Sequence, residues 1–198
     1  MSLRSQGKIP KGVKFQVSLP TPAEHNCLRR RGYQSTVDPF YEAALLRALS
    51  NIPNATPPSD LAIQWDAPTK FAKLEGTVWP HFSPWFPKQA VVDKLVERMM
   101  RLLDSVREDV ECRLHLCYGD LGHGHFIEPT EMGFMVEIAN GVKKGSKRRI
   151  NWIHMPVPKE RLHDDDDDDA DAAAAGCAAL ALLDFPSRTR VVPGRCTL

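Results

Sequence analysis

The chain has 198 residues, enough for one domain of ordinary size, and its 42% apolar and 26% charged content belongs to a folded protein rather than a disordered one. Twenty-six basic residues nearly cancel twenty-five acidic ones, so no global field favours nucleic acid or an anionic membrane. The run Met1 to Lys8 lacks an apolar core of signal-peptide length, and no stretch approaches the roughly 18 apolar residues of a membrane span, so a reducing, cytoplasmic setting is expected, with neither nucleic acid nor membrane as partner.

Cys27, Cys112, Cys117, Cys177 and Cys196 are odd in number and irregular in spacing. That argues against a disulfide framework and leaves any important cysteine available as a thiolate or metal ligand. The basic clusters Arg29 to Arg31 and Lys143 to Arg149 read as solvated loops.

Val13 to Leu19 alternates as a strand, with Phe15, Val17 and Leu19 on one face and Gln16 and Ser18 on the other, ended by Pro20-Thr21-Pro22. Helical spacing begins at Asp38, a candidate N-cap, with Pro39 in the first turn and Ala44, Leu45, Ala48 and Leu49 on an apolar stripe before Pro53. Leu61 to Asp66 alternates again, and an aromatic and proline-rich loop from Trp79 to Pro87 follows, in which Trp79 and His81 are candidates for an apolar lid. Gln89 to Arg107 is an amphipathic helix carrying Val92, Leu95, Val96, Met99, Leu102, Leu103 and Val106. Val110 to Tyr118 is a third strand, about Glu128 to Val142 a helix, and Ile150 to Met155 a fourth strand.

This alternation predicts a parallel sheet with outer helices, in which one strand face is apolar and the other carries Gln16, Ser18, Gln64, Asp66, His115 and Cys117. Thr21, Asp66, Asp120 and His154 fall near the C-terminal strand ends, where a β/α barrel builds its site, although an open α/β sheet fits the same pattern. The predicted fold is therefore α/β, a partial TIM-type barrel of about four parallel strands over residues 1–161, followed by an Asp/Ala-rich tail over 162–198. In that tail Asp164 to Asp169 reads as a solvated charge run, Ala170 to Leu183 as a short helix or disorder, and Pro186 to Leu198 shows no strand pattern.

His115 and Cys117 share one strand face, so a ring nitrogen and a sulfur can converge on one ion, and zinc suits that mixture. Core packing is the commoner use of such a pair. The run Gly119 to His125 adds His123 and His125 among glycines that permit tight backbone turns close to a ligand.

The run His115-Leu116-Cys117-Tyr118 resembles the zinc-binding His-Met-Cys-Tyr strand of cobalamin-independent methionine synthases. Ile63-Gln64-Trp65-Asp66-Ala67-Pro68 is similar to that family's Ile-Gln-Ile-Asp-Glu-Pro strand. The segments 15–22, 60–66, 115–126 and 151–158 look closer to a less characterised fungal and bacterial branch of the wider superfamily that includes uroporphyrinogen decarboxylase, and the resemblance spans about 6–161. It implies zinc held by His115 and Cys117, a folate methyl donor, and methyl transfer to a thiol, with a role in secondary metabolism. The family's next ligand is a glutamate, but Glu137 sits in a helical pattern that would turn it outward, which makes His154 the candidate third ligand.

The family's second ligand cysteine has no counterpart in a strand pattern, and Ala67 replaces the glutamate of the second motif. Gln64, Asp66, Tyr118, Asp120, His123 and His125 are the candidate substrate contacts, Asp66 holding an amine. Decarboxylation is the weaker expectation, because its arginines and aspartate find no match. The competing expectations are a non-catalytic small-molecule-binding or accessory protein, and a truncated or frame-altered product. A half barrel also leaves sheet edges for self-association or a partner chain to complete.

Overall fold

A computed structural model describes residues 3–22, 33–67, 88–119, 132–156 and 190–194. The described elements are β1 (Phe15–Pro20), α1 (Gln34–Ala55), a 3-10 turn (Pro58–Asp60), β2 (Leu61–Asp66), α2 (Lys88–Asp104), β3 (Glu111–His115), α3 (Gly133–Gly145), β4 (Trp152–Pro156) and β5 (Arg190–Gly194). The strands form one parallel sheet in chain order, β1-β2-β3-β4-β5. The mixed α/β architecture with a parallel sheet agrees with the strand-helix alternation in the sequence.

The two faces of the sheet differ as the period-2 pattern predicts. Leu61, Ile63 and Trp65 of β2, Cys112 and Leu114 of β3, and Ile153 and Met155 of β4 are buried in one apolar cluster with the helices. Leu45, Leu46, Leu49 and Ile52 of α1, Leu95, Met99, Leu102 and Leu103 of α2, and Met135, Ile138, Ala139 and Val142 of α3 complete that cluster. All three helices therefore cover the same face, and the polar residues are left on the other.

α1 begins at Gln34, not at Asp38, and runs through Pro53 to Ala55. Asp38 does not cap it. The Asp38 carboxylate instead pairs with the Arg98 guanidinium of α2, and Glu42, one turn on, accepts from Arg101 Nε at 3.0 Å. A tertiary ion pair thus claims the side chain that the local pattern assigns to the cap. Ala44 and Ala48, placed on the apolar stripe by spacing, are exposed, and Leu46 and Ile52 take their place against the core.

β5 is the larger correction. The segment after Pro186 has no strand pattern in sequence, yet Val191 lies opposite Ile153 and Val192 opposite His154 in parallel register. Two consecutive valines are too short a run to show a period, and it is the edge of β4 that supplies their pairing. The tail from 157 to 189, including the aspartate run and the expected Ala/Leu helix, lies outside the described residues, as do Cys27, Trp79, His81, Cys177, Cys196 and Arg29 to Arg31.

α2 and α3 approach closely at Gly141, where a Cβ would stand 3.0 Å from Val96 Cγ2 and 3.2 Å from Cγ1. Valine is stiff at χ1 and has no alternative rotamer of low cost in a helix, so it cannot swing aside. Gly141→Ala is expected to lose stability by about 1 kcal/mol, the overpacking cost exceeding the gain in helix propensity. A urea midpoint unchanged or raised in Gly141→Ala would show that the helices separate freely.

Candidate functional site

On the face away from the helices, the parallel register stacks side chains into rows. Gln16, Ala62 and Glu111 are partners in one row, and Ser18, Gln64, Arg113 and Trp152 in the next. The row nearest the C-terminal strand ends holds Pro20, Asp66, His115 and His154. Cys117 is one pleat beyond His115 on the same face, half-buried and not disulfide-bonded.

The lower rows form a polar floor. Arg113 Nη1 donates to Gln16 Oε1 at 2.7 Å and Nη2 to Glu111 Oε2 at 2.9 Å, reaching across β2 where Ala62 leaves room. The Arg113 guanidinium lies 5.0 Å from the centre of the Trp152 ring, and Lys14 Nζ is 3.4 Å from Glu111 Oε1. Gln64 Nε2 donates to Asp66 Oδ1 at 2.9 Å and lies 3.4 Å from Ser18 Oγ, while Gln64 Oε1 is buried with no partner among the described residues. Burial raises the Asp66 carboxyl above its ordinary range, and the Gln64 hydrogen bond opposes that rise.

His115 and His154 meet at the top of this floor. Their Nδ1 atoms are 2.6 Å apart, with ring centroids 4.6 Å apart and planes inclined by 12°. Near-parallel rings whose nitrogens come this close must meet edge to edge, because face-to-face contact would hold every atom pair farther apart. Two bare lone pairs, or two N–H groups, would repel at that distance, so one proton belongs between the nitrogens. Burial, with the neighbouring His154 adding to it, pushes His115 down to about 4, and burial lowers His154 as well. Both rings are therefore neutral near pH 7.

Register brings the two rings together, and Asn151 fixes the register. Its backbone N–H donates to the Cys112 carbonyl at 2.8 Å and its side-chain oxygen accepts from the Cys112 N–H at 3.0 Å. Beyond β3, the Leu116 N–H donates to the His154 carbonyl at 2.9 Å, which carries the pairing up to the level of Cys117. Gly119, with φ of 83°, adopts a conformation that a side chain would strain.

Of the residues proposed from sequence, Gln64, Asp66, His115, Cys117 and His154 share this face. Tyr118 does not. It is wholly buried in the helix-covered core, because it falls on the opposite side of the strand line from Cys117. Asp120, His123 and His125 lie outside the described residues. Glu137 is exposed on α3, as its helical setting predicts. The floor residues Glu111, Arg113 and Trp152 were not among the candidates, although Glu111, Arg113, His115 and Cys117 follow one another at strict period 2.

Among the described residues, no three His, Cys, Asp or Glu side chains gather as a metal-ligating group, and no helix is long and apolar enough to cross a membrane. A cleft between 108–111 and 148–151 opens at the other end of the strands, away from the histidines. No family model, curated protein or solved structure matches this chain.

Proposed function

We propose that the chain is part of a β/α barrel of methionine-synthase-like type, and that its histidine mouth binds zinc and a small thiol that becomes methylated. The observation that carries this reading is the register that sets His115 opposite His154 on adjacent parallel strands, with Cys117 two residues beyond His115. Two neutral imidazoles and one thiol are donor types that zinc accepts, but the three do not gather as a ready site, so binding would require the nitrogens to part from 2.6 Å to about 3.3 Å and Cys117 to turn in. His115, His154 and Cys117 would hold the ion, which when bound lowers the pKa of a thiol and presents it as the reactive thiolate.

The protein's own groups supply the rest. Burial favours the neutral form of both imidazoles, and zinc would replace the one proton shared by their Nδ1 atoms. A substrate ammonium beside Asp66 would offset the burial that raises its carboxyl above the ordinary range. Gln64 steadies Asp66 through its amide N–H and leaves Oε1 as an acceptor for a second substrate donor. A folate methyl donor is part of the same reading and rests on the sequence resemblance alone.

Metal analysis of the purified protein tests the proposal. One zinc per chain is expected, lost in His115→Ala and in His154→Ala, and a cobalt-substituted protein should show a thiolate charge-transfer band that Cys117→Ala removes. Purified protein with no stoichiometric metal overturns it. The second reading, a non-catalytic small-molecule site, is favoured by the same short contact, since an Nδ1–H···Nδ1 hydrogen bond satisfies both rings without any ion.

A further inference from the structure

The run Lys143-Lys144-Gly145-Ser146-Lys147-Arg148-Arg149 takes no part in the histidine mouth. Five of its seven residues are cationic and Ser146 is the one hydroxyl among them. Ser146 is the first residue past α3, half-buried and in extended conformation, with Lys144, Lys147 and Arg149 exposed around it. Lys143 and Lys144, in the last turn of α3, stand three and two residues before Ser146, a spacing of basic residues that the acidic cleft of a basophilic kinase reads when that terminal turn opens.

The same serine holds a tether. Ser146 Oγ donates to Asp104 Oδ1, at the end of α2, at 2.8 Å. That oxygen also accepts from the backbone N–H of Lys147 at 2.9 Å and of Arg148 at 3.1 Å. One carboxylate thus ties the connection between α3 and β4 to α2, just ahead of Asn151 and the strand that carries His154.

We propose that Ser146 is a phosphoacceptor for a serine/threonine kinase that reads basic residues, and that the phosphate displaces Asp104 from the α3–β4 connection. In the transfer the Ser146 oxygen bonds to the γ-phosphorus of a nucleoside triphosphate. The bond to the leaving nucleoside diphosphate breaks, and the hydroxyl proton passes to the kinase's base. The product removes the hydrogen that bridged Ser146 to Asp104 and sets a dianion against a carboxylate. The phosphate takes over the Lys147 and Arg148 N–H groups, the flanking cations neutralise it, and the repelled Asp104 releases α2.

Incubation of the full chain, folded by circular dichroism, with ATP and the catalytic subunit of cAMP-dependent kinase tests both halves. Peptide mass spectrometry is expected to find one phosphate, on Ser146, and none after Ser146→Ala, while Ser146→Thr still accepts it. Phosphorylation should lower the thermal midpoint of the unmutated protein and do so less in Asp104→Asn, where the repulsion is gone. Phosphate absent from Ser146, or placed on other hydroxyls instead, overturns the acceptor assignment. An equal fall in midpoint for Asp104→Asn overturns the displacement. Because the mapping is made on the unmutated chain, a Ser146→Ala protein that fails to fold leaves the test intact.

Discussion

Trp65→Ala is expected to remove a large share of the protein's folding stability. Trp65 is wholly buried, lies opposite Leu19 and Leu114 in the register of the sheet, and belongs to the cluster under the helices. Removing a buried tryptophan side chain costs about 3–5 kcal/mol, and a domain is stabilised by only about 5–15 kcal/mol in total. A smaller change separates volume from polarity. The Trp65 indole N–H is buried with no partner among the described residues, so Trp65→Phe sheds an unsatisfied donor along with part of the ring. Trp65→Phe should therefore lose much less than Trp65→Ala. Urea unfolding followed by far-UV circular dichroism measures both, and near-equal losses would mean that the indole nitrogen is in fact satisfied.

Acid should destabilise the metal-free protein, and the histidine pair should set the window. His115 is held down at about 4 in the folded chain against 6.5 when unfolded, so between those values the unfolded chain binds the extra proton. Stability then falls as pH drops from about 6.5 toward about 4, by a total of roughly 2–3 kcal/mol for this one group. The lowered His154 acts in the same direction. Asp66 acts in the opposite direction: with its folded pKa raised above 3.8, it contributes stability at low pH that is lost as pH rises through the folded value. Two lowered histidines stand against this one raised carboxyl, so the net effect of acid is expected to be a loss of stability. Thermal midpoints between pH 4 and 7 should fall with acid in the unmutated protein and fall less in His115→Gln. Parallel curves for the two proteins would place the proton binding elsewhere.

The two tests bear on different parts of the molecule. Trp65 belongs to the face that holds the fold together, and His115 to the face that is left over for chemistry. A strand that serves both has to carry apolar and polar residues at alternate positions. β2 and β3 do so, with the small Ala62 as the exception on the polar face. That alternation is also why the fold was legible: a period of 2 follows from strand stereochemistry, needs no partner, and survives in the order of residues.

The candidate site was legible to the same extent. His115 and Cys117 fall on one face by spacing alone, and Asp66 and Gln64 on the matching face of β2. In β4 the period sets Trp152 and His154 on one face and Asn151, Ile153 and Met155 on the other, without saying which face meets the helices. Burial resolves it: Ile153 and Met155 are buried under the helices, which turns His154 toward His115. The third member of the motif went the other way. Tyr118 adjoins Cys117 in the motif, yet adjacency on a strand places it in the core.

By itself, the sequence determined that strands and helices alternate, that β2 runs from Leu61 to Asp66, and which side chains share each strand face, because these follow from local periodicity. Tertiary structure alone decided that Asp38 pairs with Arg98 instead of capping α1, that 190–194 joins the sheet, and that the two imidazoles meet at Nδ1. Each of those depends on which neighbour stands opposite. The Asn151 clamp on Cys112 sets that relation for the histidines, and such a relation between distant segments has no local period to announce it.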